Sequence, residues 1–165
     1  MELVSRRFDR IGLQRIVQLI NKTNQFNLTT RRYSDAEVLE VLDDDKAIGL
    51  QLRLTDRFGD NGIISIIIGR LEGDALVIDT WLMSCRVLGR QVEVTTLNLI
   101  VQRARAMGAR RIIGDYIATP KNGMVKEHYR KLGFASLETS DTHSRNVLDI
   151  EAFEPHPTII TVVSE

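Results

Sequence analysis

A lone thiol followed at once by a guanidinium marks the stretch Ser84-Cys85-Arg86-Val87-Leu88-Gly89-Arg90-Gln91. A cysteine can hold an acyl group as a covalent intermediate between donor and acceptor. The residues after it suit a second task. A strand-like run from Ala75 to Met83 ends there, and a long helical run begins after Gly89. Free amides at a helix start attract an anion, and the helix dipole adds to that attraction. Arg86 and Arg90 flank the spot, and the guanidinium fork matches phosphate geometry. Arg86, Val87, Leu88, Gly89, Arg90 and Gln91 therefore form a candidate phosphate seat beside a candidate nucleophile. Cys85 has a plainer reading too, as a small apolar residue buried at a strand end.

Few other side chains invite chemistry. His128 and His143 are candidate bases, each also readable as a satisfied or surface histidine, and His156 lies between prolines in an exposed tail. Tyr129 is a candidate acid or a core aromatic with a wet hydroxyl. Asn122 either caps a helix or belongs to the site. Three histidines and one cysteine without ligand spacing predict no metal site. Arg31, Arg32, Arg103, Arg105, Arg110 and Arg111 either dock an acidic partner or cover solvated faces. Trp81 reads as core.

The elements that must position these residues follow from periodicity. Ile11 to Ile20 predicts a first helix. Ser34 and Glu37 form a capping-box pattern ahead of a second, with Val38, Leu39, Val41 and Leu42 inward. Ala47 to Thr55 alternates with period two, placing Ile48, Leu50, Leu52 and Leu54 on one face. Ile63 to Gly69 is almost all apolar and predicts a strand covered on both faces. With Ala75 to Met83 it makes an antiparallel meander across short turns. A long helix carrying Val92, Leu97, Ile100, Val101, Ala104 and Met107 closes at Gly108. Arg111 to Ile117 then returns as a strand parallel to Ala75–Met83 through a right-handed crossover. Asn122 to Lys131 predicts another helix, stopped by Gly133, and Phe134 to Leu137 and Val147 to Phe153 two closing strands. The tail after Pro155 has no assigned place. The reading is one α/β domain over residues 1–165, a mixed sheet with an N-terminal meander and a parallel split.

Composition bounds the partners. With 165 residues, 43% hydrophobic and 27% charged, the chain suits one globular core. Lys+Arg and Asp+Glu balance at 22 each, so neither nucleic acid nor membrane is an expected partner. One cysteine permits no internal disulfide and points to a reducing, cytoplasmic setting. Met1 to Arg10 lacks the apolar run of a signal peptide, and the apolar runs are too short to span a bilayer.

Two resemblances sharpen this. The Arg86-x-x-Gly89-Arg90 loop and the string Asn122-Gly123-Met124-Val125-Lys126-Glu127-His128-Tyr129-Arg130-Lys131-Leu132-Gly133-Phe134 resemble the Q/R-x-x-G-x-G/A loop and the N-x-x-A-x-x-L-Y-x-K-x-G-F signature of Gcn5-related N-acetyltransferases. That resemblance implies a V-shaped sheet holding a thioester. The loop amides would lie on coenzyme A pyrophosphate, and Tyr129 near the departing sulfur. Gln91 stands where that family has a small residue, and its bulk crowds a pyrophosphate. The strings Lys22 to Tyr33, Asp56 to Gly62, Leu82 to Arg90 and Lys121-Asn122 are similar to the C-terminal module of FkbH-like proteins, over roughly residues 8 to 150.

The FkbH-like resemblance implies loading of a glyceryl unit, derived from 1,3-bisphosphoglycerate, onto the phosphopantetheine thiol of an acyl carrier protein in polyketide biosynthesis. A haloacid-dehalogenase-like phosphatase module is the implied partner. Its D-x-D-x-T signature is missing, and Asp43-Asp44-Asp45-Lys46-Ala47 does not supply it, so the chain looks like an excised or naturally free-standing second module. The implied site has Cys85 as acyl station and Tyr129 as acid, with His128 standing beside them as a candidate base. The residues from Arg86 to Gln91, with Asn122, hold the arm's phosphate. Asn24, Gln25, Asn27, Thr29 and Thr30 wall the acceptor side, although the polar run they form is equally a plain loop. No obligatory cofactor is expected; coenzyme A or the carrier's arm would enter as thiol substrate. Two alternatives stand beside this: a coenzyme-A-dependent N-acetyltransferase, and a non-catalytic module that docks the carrier.

Overall fold

Ser34 accepts from the Glu37 amide while the Glu37 carboxylate accepts from the Ser34 amide, so the capping box forms as the sequence expects. In the computed structural model, which describes Met1–Glu165, this box opens the second of four helices. The order is β1 (Glu2–Arg7), α1 (Leu13–Lys22), α2 (Asp35–Asp43), β2 (Ala47–Asp56), β3 (Gly59–Glu72), β4 (Ala75–Met83), α3 (Val92–Ala106), β5 (Arg111–Ile117), α4 (His128–Lys131), β6 (Ala135–Thr139), β7 (His143–Asp149) and β8 (Thr161–Ser164).

All eight strands join one sheet in the order β6-β7-β5-β4-β3-β2-β1-β8. Neighbours β2, β3 and β4 are antiparallel, and β4 pairs β5 in parallel, as the meander and the crossover require. The period-two pattern explains the two cores. Ile48, Leu50, Leu52 and Leu54 face the larger one with Ile100 and Val101 of α3. The apolar run of β3 serves both faces: Ile64 and Ile67 point to that core, Ile66 and Ile68 to a smaller one under α1 and α2.

The structure departs from the sequence reading at the ends. Glu2–Arg7 is a strand, with Leu3 and Ser5 fully buried and charged residues outward. The tail returns as β8, parallel to β1. The run from Asn122 to Lys131 is not one helix. It is a 3-10 turn, Gly123–Val125, and the short α4, because the Asn122 side chain turns into the protein instead of capping. Strand β7 begins four residues before the expected start, carried by hydrogen bonding to β5 rather than by apolar alternation.

One close approach fixes α4. A Cβ on Gly114 of β5 would lie 2.4 Å from Cε1 and Cζ of the Tyr129 ring, so only glycine lets the ring lie on the strand. Gly114→Ala is expected to lower unfolding free energy by about 1–3 kcal/mol through overpacking. Its effect should be non-additive with Tyr129→Leu in a denaturant double-mutant cycle. Additive effects would mean the ring is not what Gly114 accommodates.

Candidate functional site

The parallel pairing of β4 and β5 covers only Ala75–Ile78 with Arg111–Gly114. Beyond that the strands diverge, leaving backbone groups of both facing a split. Such groups cannot stay unpaired once buried. They are satisfied by the chain itself. The Leu28 amide donates to the Trp81 carbonyl (3.1 Å), the Met83 amide to the Phe26 carbonyl (3.0 Å), and the Ile117 amide to the Leu28 carbonyl (2.8 Å). Leu28 thus bridges the two strands, and Asn27 forms an antiparallel bridge with Leu82.

Side chains reinforce this segment. Thr29 Oγ1 donates to the Asp79 carbonyl at 2.7 Å. Asn122 Nδ2 donates to the Asn27 carbonyl at 3.0 Å and to the Ile117 carbonyl at 2.9 Å. Phe26, Asn27, Leu28 and Thr29 are all buried. Burying Phe26 and Leu28 contributes about 1.5–3 kcal/mol each, and each hydrogen bond about 1 kcal/mol. Asn27 and Thr29, expected in a substrate wall, are therefore internal ties. Thr30 follows with φ 55°, the left-handed turn that redirects the chain, and its hydroxyl has no partner. Asp79, 6% exposed, then anchors the return of the loop through Arg31, Tyr33 and Arg70.

At the open end of β4 the chain turns into α3. Ser84 Oγ accepts from the Arg86 amide and starts a 3-10 turn, Cys85–Val87. Gly89 and Gln91 adopt φ 74° and 65°. No side chain caps α3, so its first-turn amides have no side-chain partner. The arginines are less free than their spacing implies. Arg90 is tied to Asp56 at 2.5 Å, which pulls the Asp56 carboxyl down to about 2. Arg86 bonds Ser84 Oγ and the Asn61 carbonyl, both at 3.2 Å. The Gln91 side chain turns away to accept from the Ile159 amide at 3.0 Å, so it fastens the tail rather than crowding the turn.

Cys85 is exposed, which excludes the buried-hydrophobe reading. Its Sγ lies 3.4 Å from Gln25 Oε1. It lines a groove of about 570 Å³ with Asn24, Gln25, Arg15, Lys22, Arg86 and Lys121, among residues that include no carboxylate. Asn24 accepts from Arg32 on the rim. In a chain of zero net charge, four cations without an acid are a local bias toward anions. Lys22 and Lys121 begin two of the strings quoted for the FkbH-like resemblance, but neither they nor Arg15 are among the expected site residues, because the three lie far apart along the chain.

The groove does not include Tyr129 or His128. Both are buried, in the core beside Trp81. The His128 ring packs edge-on against Trp81 at 4.4 Å and Phe26 at 5.2 Å. Burial, with Lys131 adding repulsion, pushes its imidazole down to about 3. Burial also raises the Tyr129 phenol well above its usual range, with the charges of Asp115 and Asp79 adding to it. His128 Nε2, Tyr129 Oη and Trp81 Nε1 have no hydrogen-bond partner. The expected grouping of Cys85 with Tyr129 and His128 is therefore not formed: the thiol faces solvent and the two rings are sealed. His143 stands apart, 3.5 Å from Asp115, which also receives a forked contact from Arg145.

A splayed parallel pair beside an uncapped turn, in this strand order, defines the Gcn5-related N-acetyltransferase fold. The solved structures agree. The chain superposes on the GNAT domain of S. lividans PAT with TM-score 0.68, 18% identity, covering 88% of this chain and 89% of that one. For the ribosomal-protein-S18-alanine N-acetyltransferase from Escherichia coli the values are 0.66, 13%, 90% and 94%. For spermidine N-acetyltransferase from Vibrio cholerae, solved with CoA and spermine, they are 0.68, 14%, 91% and 96%. No protein-family model matches the sequence, and no curated protein does. No helix is long and apolar enough to cross a membrane.

Proposed function

We propose that this chain passes an acyl group through the Cys85 thiol to the thiol of a phosphopantetheine arm on an acyl carrier protein. The group is the three-carbon glyceryl unit that the FkbH-like strings imply. One observation carries the reading: the only cysteine opens into a cation-lined groove free of carboxylates. An acyl phosphate is anionic at its reacting end and would be drawn to that groove by Arg15, Lys22, Arg86 and Lys121.

The Cys85 sulfur attacks the acyl carbon, the C–O bond to phosphate breaks, and the released phosphate takes the proton the thiol gives up. The arm's thiol then attacks the Cys85 thioester. The C–S bond to Cys85 breaks, and the proton of the arm's thiol ends on Cys85. A haloacid-dehalogenase-like phosphatase would remove any remaining phosphate from the glyceryl unit. Tyr129 and His128 take no part, since both are sealed in the core.

The test is intact-mass analysis after incubation with a glyceryl acyl phosphate, followed by peptide mapping. A glyceryl adduct on the peptide that contains Cys85 is expected; an adduct elsewhere, or none, rejects the route. The second reading, a coenzyme-A-dependent N-acetyltransferase, is favoured by the superposition on an enzyme solved with CoA. It predicts turnover of acetyl-CoA with an amine and no cysteine adduct.

A further inference from the structure

We infer that the segment Phe26–Thr29 is a specificity determinant: it occupies the split of the sheet as an internal ligand and shuts the amide-bearing arm of coenzyme A out of it. The β4 edge offers a carbonyl at Trp81 and an amide at Met83 to whatever lies in the split, and β5 offers the amide of Ile117. An extended chain with amides at strand spacing satisfies all three. A pantetheine arm has such amides, and its phosphate end would reach the uncapped turn of α3. Phe26 and Leu28 already make every one of these bonds.

The occupancy is locked from both sides. Asn122 holds the Asn27 carbonyl against β5, and Thr29 holds the Asp79 carbonyl on β4. Asp79 grips the outgoing chain through Arg31 and Tyr33. Phe26 packs on His128 and so roofs the buried rings of Trp81 and Tyr129. An incoming arm would have to unmake all of these contacts and lift two core side chains into water. The segment therefore wins, and thiols reach the protein only through the groove at Cys85. This last consequence rests on the proposed acyl transfer; the closure of the split does not.

The experiment uses the wild-type chain. Coenzyme A is titrated by calorimetry to on the order of 1 mM, and amide hydrogen exchange is recorded with and without it. Expected are amides of Leu28, Met83 and Ile117 among the slowest to exchange, unchanged by coenzyme A. Heat of binding with those amides still unchanged places the ligand outside the split and upholds the inference. Saturable binding that alters their exchange overturns it, while the Cys85 adduct continues to judge the acyl-transfer reading separately. Asn122→Ala, which removes the bonds to the Asn27 and Ile117 carbonyls together with those that Asn122 Oδ1 accepts from the Thr119 amide and the Tyr116 hydroxyl, is expected to speed exchange at Leu28 and Ile117 about tenfold. Unchanged rates would show that Asn122 is not the clamp.

Discussion

Cys85→Ala is expected to abolish the covalent glyceryl adduct and to slow loading of the carrier protein at least about a thousandfold, because losing a covalent nucleophile removes the route rather than weakening it. The fold should not suffer. Cys85 is exposed, and its one side-chain hydrogen bond is the 3.4 Å approach to Gln25. Unfolding of the variant should match wild type within about 0.5 kcal/mol. Tyr129→Phe is the informative companion. If the phenol protonated a leaving sulfur, its loss would cost roughly a hundredfold or more. A buried hydroxyl with no partner predicts instead a transfer rate within about twofold of wild type, and equal or greater stability, since an unsatisfied polar group leaves the core. Loading measured with purified carrier and phosphatase decides among the readings. Full loading by Cys85→Ala would make the chain a docking module. A large loss with Tyr129→Phe at unchanged stability would move the chemistry into the core.

Much of the fold was written in local pattern, and the failures share a cause. The meander and α3 were legible because Leu50, Leu52, Leu54, Ile100 and Val101 repeat at strand or helix spacing over long runs. Strand β1 was hidden because Glu2, Arg6 and Arg7 outweigh Leu3 in any apolar measure, and its pairing with β2 lies some fifty residues away. The site was harder for the same reason. Cys85 and Arg86 lie at the turn from β4 into α3, as the local pattern implies. The alternation of Phe26 and Leu28 with Asn27 and Thr29 is a strand signal four residues long, too short to separate from a loop. Nothing local says that two distant strands need those backbone groups. Asp79 was the neglected clue. A carboxylate inside an otherwise apolar strand requires partners, and Arg31, Tyr33 and Arg70 supply them.

His128 should make the protein acid-sensitive over a pH range where its carboxylates contribute little. The Gcn5-related signature that this stretch resembles has leucine at this position, and here an imidazole is packed among Phe26, Trp81 and Tyr129 with Nε2 unpartnered. Its folded pKa is about 3 against 6.5 in the open chain. The unfolded state therefore binds the proton first as pH falls. The stability this histidine allows is intact above about pH 6.5 and is lost progressively toward pH 3, at up to about 1.4 kcal/mol per pH unit. Asp56, held at about 2 by Arg90, adds an acid loss only below roughly pH 4. Denaturant unfolding at about pH 6.5 and pH 5 therefore reads the histidine with little contribution from carboxylates, and wild type should lose about 1.6 kcal/mol more than His128→Leu between them. His128→Leu should be flat across that interval and at least as stable as wild type at neutral pH, because leucine fills the space with no polar atom to leave unpaired. Parallel pH profiles for the two proteins would mean that His128 reaches solvent, and the sealed floor beneath Phe26 would then have to be given up.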